Sequence, residues 1–377
     1  MLYQAYQAQS DLMLPLRVMA QAGLNFLEPF AVASNGQRSA IHNLTAAYEM
    51  ITRAGLTHTR PPYGINRVKV GNREVSVTEE AVDVTPFGTL LRFRKDHDAS
   101  QPKVLVVAPL SGHFATLLRS LVKTMLPDHD VCITDWHNAR DASTSAGRFG
   151  FEDYVAHLIR WYEKLGPPVH TVAVCQPCVQ VLTAASVMAQ TSNPAVPRSM
   201  TLMAGPIDTR INPTKVNELA MGRSIEWFER NLIARVPIRY AGAGRRVYPG
   251  FVQLMAFMSM NMDRHRKAHM DLYDNLAKGE IEKAQVTKAF YDEYFAVLDL
   301  TAEFYLETVK WVFQEARLAR GTLEFCGAKV DPGAIRRTTL LTVEGEKDDI
   351  CSLGQTAAAH DLCKGLKPYM KRHHMQT

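Results

Sequence analysis

His170-Thr171-Val172-Ala173-Val174-Cys175-Gln176-Pro177-Cys178-Val179-Gln180-Val181-Leu182 changes its period halfway along. Val172 to Val174 is a short apolar run with β-branched residues, the pattern of a fully buried strand. From Pro177 onward the period is helical, with Val181, Leu182, Ala185 and Met188 on one face. A proline is tolerated in the first helical turn, because its missing N–H would have no partner there. No room is left for a loop, so Cys175 is predicted on a sharp strand-to-helix turn, the geometry of a nucleophile elbow. The usual elbow reads G-x-S-x-G; this one reads Ala173-Val174-Cys175-Gln176-Pro177, with sulfur in place of oxygen. The thiolate is the nucleophilic form of cysteine, and a helix N-terminus favours the anion. The backbone N–H of Gln176 would then face the oxyanion formed on attack. Two other readings stand beside this one. Cys175-Gln176-Pro177-Cys178 is also C-x-x-C ahead of a helix, as in redox motifs, although strand meets motif without a spacer and the chain is long for that fold. Both cysteines can also be plain core residues. A zinc site would need further Cys or His pairs at ligand spacing, and none appears.

The same alternation extends on both sides. Residues 2–30 read as one or two amphipathic helices and 40–54 as another. Val68, Val70, Val75 and Val77 alternate around Gly71-Asn72, a turn signal. Val82, Val84, Leu90, Leu91 and Phe93 continue this antiparallel start. A buried strand over 103–108 runs into the loop Pro109-Leu110-Ser111-Gly112-His113 and a helix over 114–125. Strands over 130–134 and 199–203 flank the elbow unit, with a helix over 152–165 before it. Strands alternating with helices predict a mostly parallel sheet with helices on both faces. Functional residues of such sheets gather at the carboxyl ends of the strands. Cys175 lies at one such end, and Ser111-Gly112 lies at another, where it can supply the second oxyanion N–H.

After Asp208 the strands stop, and 217–319 reads as helical and rich in Met, Phe and Tyr. Arg245-Arg246, after Gly242 and Gly244, lacks a P-loop pattern and reads as a solvated turn. His265 and His269 share a helix face without the glutamate of H-E-x-x-H and read as surface histidines. The segment interrupts the sheet and is expected to cap the site, with Met255, Phe257 and Met258 at its entrance. The sheet resumes at 338–343 and ends in Glu344-Gly345-Glu346-Lys347-Asp348-Asp349-Ile350. Asp348, at G-x-x-D spacing from Gly345, is the expected acid; Asp349 is better placed to cap the helix expected over 355–366. A last strand follows over 370–375. The chain thus divides into an N-terminal helical segment over 1–64, a core over 65–216 and 336–377, and a helical cap insertion over 217–335.

At 377 residues and 46% hydrophobic content the chain can bury a large core. A net charge of +5 is weak evidence for an anionic partner, and no Lys/Arg cluster interleaved with aromatics suggests nucleic acid. Six widely spread cysteines do not resemble a disulfide framework, which points to a reducing compartment. Met1 to Gln7 lacks the basic region and apolar run of a secretory signal, and no stretch is long and apolar enough to span a bilayer. A cytoplasmic location is the expectation.

Val174-Cys175-Gln176-Pro177, Pro109-Leu110-Ser111-Gly112-His113-Phe114, Thr134-Asp135-Trp136, the stretch from Val343 to Ile350 and the N-terminal Met1-Leu2-Tyr3-Gln4-Ala5-Tyr6 together resemble the intracellular polyhydroxyalkanoate (poly-3-hydroxybutyrate, PHB) depolymerases. The resemblance implies an α/β-hydrolase fold, a cysteine nucleophile at Cys175, an oxyanion hole from Gln176, Ser111 and Gly112, and Asp348 orienting a histidine. It implies a storage-polyester substrate, the surface of polymer granules as partner, and no cofactor; water or the thiol of coenzyme A would take the acyl group. The family's histidine follows the last strand. No residue of this sequence matches that position, since His373 and His374 fall within the strand and His113 in the oxyanion loop. The 377-residue chain is therefore expected to stall as an acyl-enzyme. A polymer synthase-like cysteine acyltransferase and a catalytically impaired granule-binding protein are the competing functions. Oligomeric state is open.

Overall fold

The computed structural model describes residues 2–33, 40–97 and 100–377. Met1 and positions 34–39 of the N-terminal segment, and positions 98–99, lie outside the described residues. The chain enters a sheet through β1 (Arg67–Val70), β2 (Arg73–Val84), β3 (Gly88–Lys95), β4 (Lys103–Val107), β5 (Asp130–Trp136), β6 (Val169–Val174) and β7 (Ser199–Met203). An insertion then carries the short strands β8 (Ala234–Arg235), β9 (Arg246–Tyr248), β10 (Leu300–Thr301), β11 (Glu324–Phe325) and β12 (Ala328–Lys329). The main sheet is completed by β13 (Thr339–Gly345) and β14 (Lys371–Gln376). Its nine strands run in the order β1-β2-β3-β5-β4-β6-β7-β13-β14. From β5 to β14 every neighbouring pair is parallel, and β1 to β3 add an antiparallel edge. With its crossover helices this is the α/β-hydrolase fold. β6, the elbow strand, sits in the interior of the parallel part.

Local sequence accounts for most elements. The helix Phe151–Leu165 buries Phe151, Tyr154, Val155, Leu158, Trp161 and Tyr162, an i, i+3, i+4, i+7 stripe against the sheet. The helix Cys178–Gln190 differs from expectation. It is buried on nearly every side rather than on one face, because the helix Phe151–Leu165, the turn Pro332–Ala334 and β6 pack around it. Val104 to Val107 of β4 are likewise fully buried, as a parallel strand covered on both faces requires.

Several expectations about the rest of the chain are corrected. Residues 2–30, read as one or two helices, form one, Leu2–Ala33. The insertion is not purely helical: β10, β9 and β8 form a small sheet, and β11 pairs with β12. Arg245 is not in a solvated turn. Its guanidinium is buried and donates to the carbonyls of Ala142, Ser143 and Gly147, with the Phe87 ring 5.1 Å away. His265 and His269 are packed rather than free on the surface, stacked on Tyr294 and Phe295 respectively. Over 355–366 only Ala359–Leu362 is α-helical. The N–H groups just before it are turned onto the buried carboxylate of Glu344.

The N-terminal helix is anchored by its first two turns. Tyr3 donates to Asp299 (2.7 Å), and Tyr6 stacks on Phe251 at 4.0 Å. Asp299 also accepts the Gly250 N–H (2.9 Å). Burial pushes the Asp299 carboxyl up to about 6, above the unfolded value of about 3.9. Ionising it therefore opposes folding, so stability present at pH 4 falls as pH rises through about 6. Tyr3→Phe removes one donor from the ionised carboxylate. It should cost about 2 kcal/mol at pH 8 and clearly less at pH 4.5, read as the shift in urea midpoint between variant and parent at each pH.

Candidate active site

The chain reverses sharply at the end of β6. Cys175 has φ 68°, the left-handed region that a non-glycine residue enters at a cost of order 1–3 kcal/mol. Two backbone bonds hold it there: Cys175 N–H donates to the Met203 carbonyl (2.7 Å) of β7, and the Cys178 N–H donates to the Cys175 carbonyl (3.1 Å). Pro177 occupies the cap position, and the helix begins at Cys178. Gly205 backs the turn. A Cβ there would lie 2.5 Å from the Cys178 sulfur and 3.3 Å from the Cys175 carbonyl. The two thiols are unequal. Cys175 is half-buried at the turn, whereas Cys178 is fully buried and directs its sulfur to the carbonyls of Ala173 (3.5 Å) and Met203 (3.6 Å). Both are free thiols, and the Cys178 geometry suits a packed core cysteine rather than half of a redox pair.

The Gln176 N–H points at the Cys175 sulfur and favours the thiolate, but burial and the nearby Asp348 charge outweigh it and push the thiol up. Gly112 has φ 97°, and a Cβ on it would meet Gln253 of the insertion at 2.8 Å. Its carbonyl accepts the Leu298 N–H (3.0 Å). Ser111 lies beside it, half-buried. His113 is turned to the insertion: it pairs with Val297, its Nε2 lies 3.1 Å from the Tyr294 carbonyl, and its ring stacks between Phe257 and Tyr294. Burial pushes His113 down to about 4, so it is neutral at pH 7. Met255 and Met258, expected with Phe257 at an entrance, instead line a cleft facing the N-terminal helix.

Asp348 follows β13 and accepts the N–H groups of Ile350 (2.9 Å) and Cys351 (3.0 Å) with Oδ1. The capping role expected of Asp349 thus belongs to Asp348, whose charge also reaches Cys175. Sequence reasoning missed Glu344, which is 2% exposed. Its carboxylate accepts the N–H groups of Gly354, Thr356 and Ala357 at 2.8–3.0 Å. Thr356 in turn accepts the Gly205 N–H (2.8 Å) and donates to the Gly205 carbonyl (3.0 Å). Glu344 therefore ties the loop after β13 to the back of the elbow; its strand-end position was the one signal available. Gln180, one helical turn beyond Gln176, was missed too. Both carboxamides are buried, with neither end hydrogen-bonded among the described residues. His373 lies 2.9 Å from the Thr342 hydroxyl and 3.7 Å from Glu344, and His360 reaches the same hydroxyl (2.7 Å). His374 is exposed in β14.

Two outcomes follow from this geometry. Asp348→Asn removes the charge that raises the thiol, so iodoacetamide should alkylate Cys175 faster at pH 7.5, with the rate profile moved to lower pH. Asp349→Asn should leave the profile in place; equal shifts in both would separate Asp348 from the thiol. Gly205→Ala drives a methyl into Cys178 and the elbow, and should destabilise the protein by about 3 kcal/mol in chemical denaturation.

Residues 204–377 match the family model described as PHB de-polymerase C-terminus. The match covers β13, Glu344 and Asp348, and the elbow precedes it. No curated protein matches the chain. Among solved structures, the chain is similar to a putative lipase (lip1) from Acinetobacter baumannii AYE, with 12% identity over 79% of this chain and 83% of that one and a TM-score of 0.38. It is similar to a hydrolase from Pseudomonas aeruginosa PA01, with 12% identity over 79% and 89% and a TM-score of 0.41. A thioesterase domain from the curacin biosynthetic pathway aligns at 10% identity over 80% and 93%, with a TM-score of 0.40.

Proposed function

We propose, from a chain whose residues 204–377 match the PHB de-polymerase C-terminus family, that this hydrolase cleaves the ester bonds of a PHB-type storage polyester through an acyl-Cys175 intermediate. The observation that carries the reading is the left-handed Cys175 at the carboxyl end of β6, within electrostatic reach of a carboxylate after β13. In the first step the Cys175 sulfur attacks the ester carbonyl. A C–S bond forms and the C–O bond breaks, and the thiol's proton ends on the departing alkoxide. The N–H of Gln176, with one from Ser111 or Gly112, supports the oxyanion. In the second step water, or the thiol of coenzyme A, attacks the thioester and returns the sulfur to its thiol form. The same reading puts the protein at polyester granules in the cytoplasm.

Proton transfer is the demanding part. A raised thiol is almost wholly protonated at pH 7, and general acid–base help at each step is typically worth 10²–10⁴-fold. His113 is held by Tyr294, and His373 by Thr342. Exposure of the protein to an activated 3-hydroxybutyrate ester should give an acyl adduct on Cys175, seen by mass spectrometry and absent in Cys175→Ala. Multiple turnover that is lost on His113→Ala or His374→Ala would assign the base to that histidine. Labelling that survives Cys175→Ala but not Cys178→Ala would overturn the nucleophile.

A further inference from the structure

The cleft that holds Met255 and Met258 has a volume of about 520 Å³, within the range of small-molecule sites. It lies between the N-terminal helix, the helix Ala40–Arg53 and the insertion, and shares no lining residue with the elbow, the oxyanion loop or the loop of Asp348. Its walls are mainly apolar, with Met13, Met50, Leu56, Leu254, Met258 and Phe295 among them. Methionine-rich walls adapt to a flexible chain.

Three cations also line it. Arg53 pairs with Glu49 (2.6 Å) and Asp292 (2.5 Å), and Lys288 pairs with Glu49 (2.6 Å). Arg17 has no carboxylate partner among the described residues, and its Nε is buried without an acceptor. Asp11, the nearest acid along its helix, pairs with Arg239. The guanidinium is nevertheless given a seat. It lies over Gly55, where a Cβ would stand 2.7 Å from Cζ, so only glycine lets it rest there. A half-buried guanidinium without a counter-charge is costly unless an anion completes it.

We propose that this cleft binds an amphiphilic monoanion, an acyl chain ending in a carboxylate, with the carboxylate on Arg17 and the chain against the methionine and leucine walls. The charge complement is one guanidinium, which suits a single carboxylate, and the apolar walls suit an unbranched chain. The site does not depend on Cys175 or on the reading of its chemistry.

Calorimetric titration of the full chain with decanoate and with methyl decanoate tests this. Decanoate should bind at one site per chain, and tighter than its neutral ester. Arg17→Met should weaken decanoate at least tenfold while leaving methyl decanoate unchanged, and Arg17→Lys should keep part of the preference. Gly55→Ala, which displaces the guanidinium without removing charge, should weaken decanoate too. Met50→Trp, which fills the cleft, should weaken both ligands. Iodoacetamide labelling of Cys175 should be the same in all variants, which guards against misfolding. Equal affinity for acid and ester, or decanoate binding untouched by Arg17→Met and Gly55→Ala, would overturn the proposal. Competition by a linear 3-hydroxybutyrate trimer with a free carboxylate would name a polyester chain end as the source; failure to compete would name a fatty-acid-like amphiphile.

Discussion

A single residue held in a left-handed conformation organises the site. Cys175 stays at positive φ because its N–H is bonded to Met203 and because Gly205 leaves the turn room. That conformation is unfavourable by itself, so the surrounding structure must impose it. The support runs from the buried carboxylate of Glu344 through the Thr356 hydroxyl to both backbone groups of Gly205. Three parallel strands, β6, β7 and β13, thus meet at one point through their carboxyl ends. Glu344 and Asp348 lie four residues apart with different tasks. One is sealed in and shapes a loop; the other caps its own turn and projects charge toward the thiol.

The electrostatics of the site follow from its dryness. Burial disfavours the thiolate, and the Asp348 charge works in the same direction, while the Gln176 N–H opposes both. Such a thiol rests in its protonated form. Low dielectric also strengthens every hydrogen bond made there. The carboxamides of Gln176, in the turn, and Gln180, in the first turn of the helix, are two further buried polar groups with no hydrogen-bond partner among the described residues.

The insertion and the N-terminal helix behave as one attachment to the core. Tyr3, Val236, Val247 and Phe251 share a small apolar cluster, and Asp299 gathers donors from Tyr3 and Gly250 beside it. The attachment grips the loop after β4, through Gly112 to Leu298 and His113 to Val297.

Features set within a few residues were legible in the sequence alone. The change of period at Pro177, the parallel strands, the turn at Gly71-Asn72 and the position of Cys175 depend on local backbone preference and on which faces need covering. The resemblance to PHB depolymerases was legible because its motifs are such local stretches, and the match over 204–377 bears it out there. Features that depend on a distant partner were not legible. Arg245 looks like a surface residue until the carbonyls of Ala142 to Gly147 surround it. The helix expected over 355–366 is shortened because Glu344 takes the N–H groups of Gly354, Thr356 and Ala357. Arg17 looks like one more cation on an amphipathic helix, and the tertiary structure seats it over Gly55 with its Nε buried and without an acceptor among the described residues. Periodicity tells a residue which way to face, but the tertiary structure alone decides what it meets, because hydrogen bonds and charges act over a few ångströms between segments that may be hundreds of residues apart.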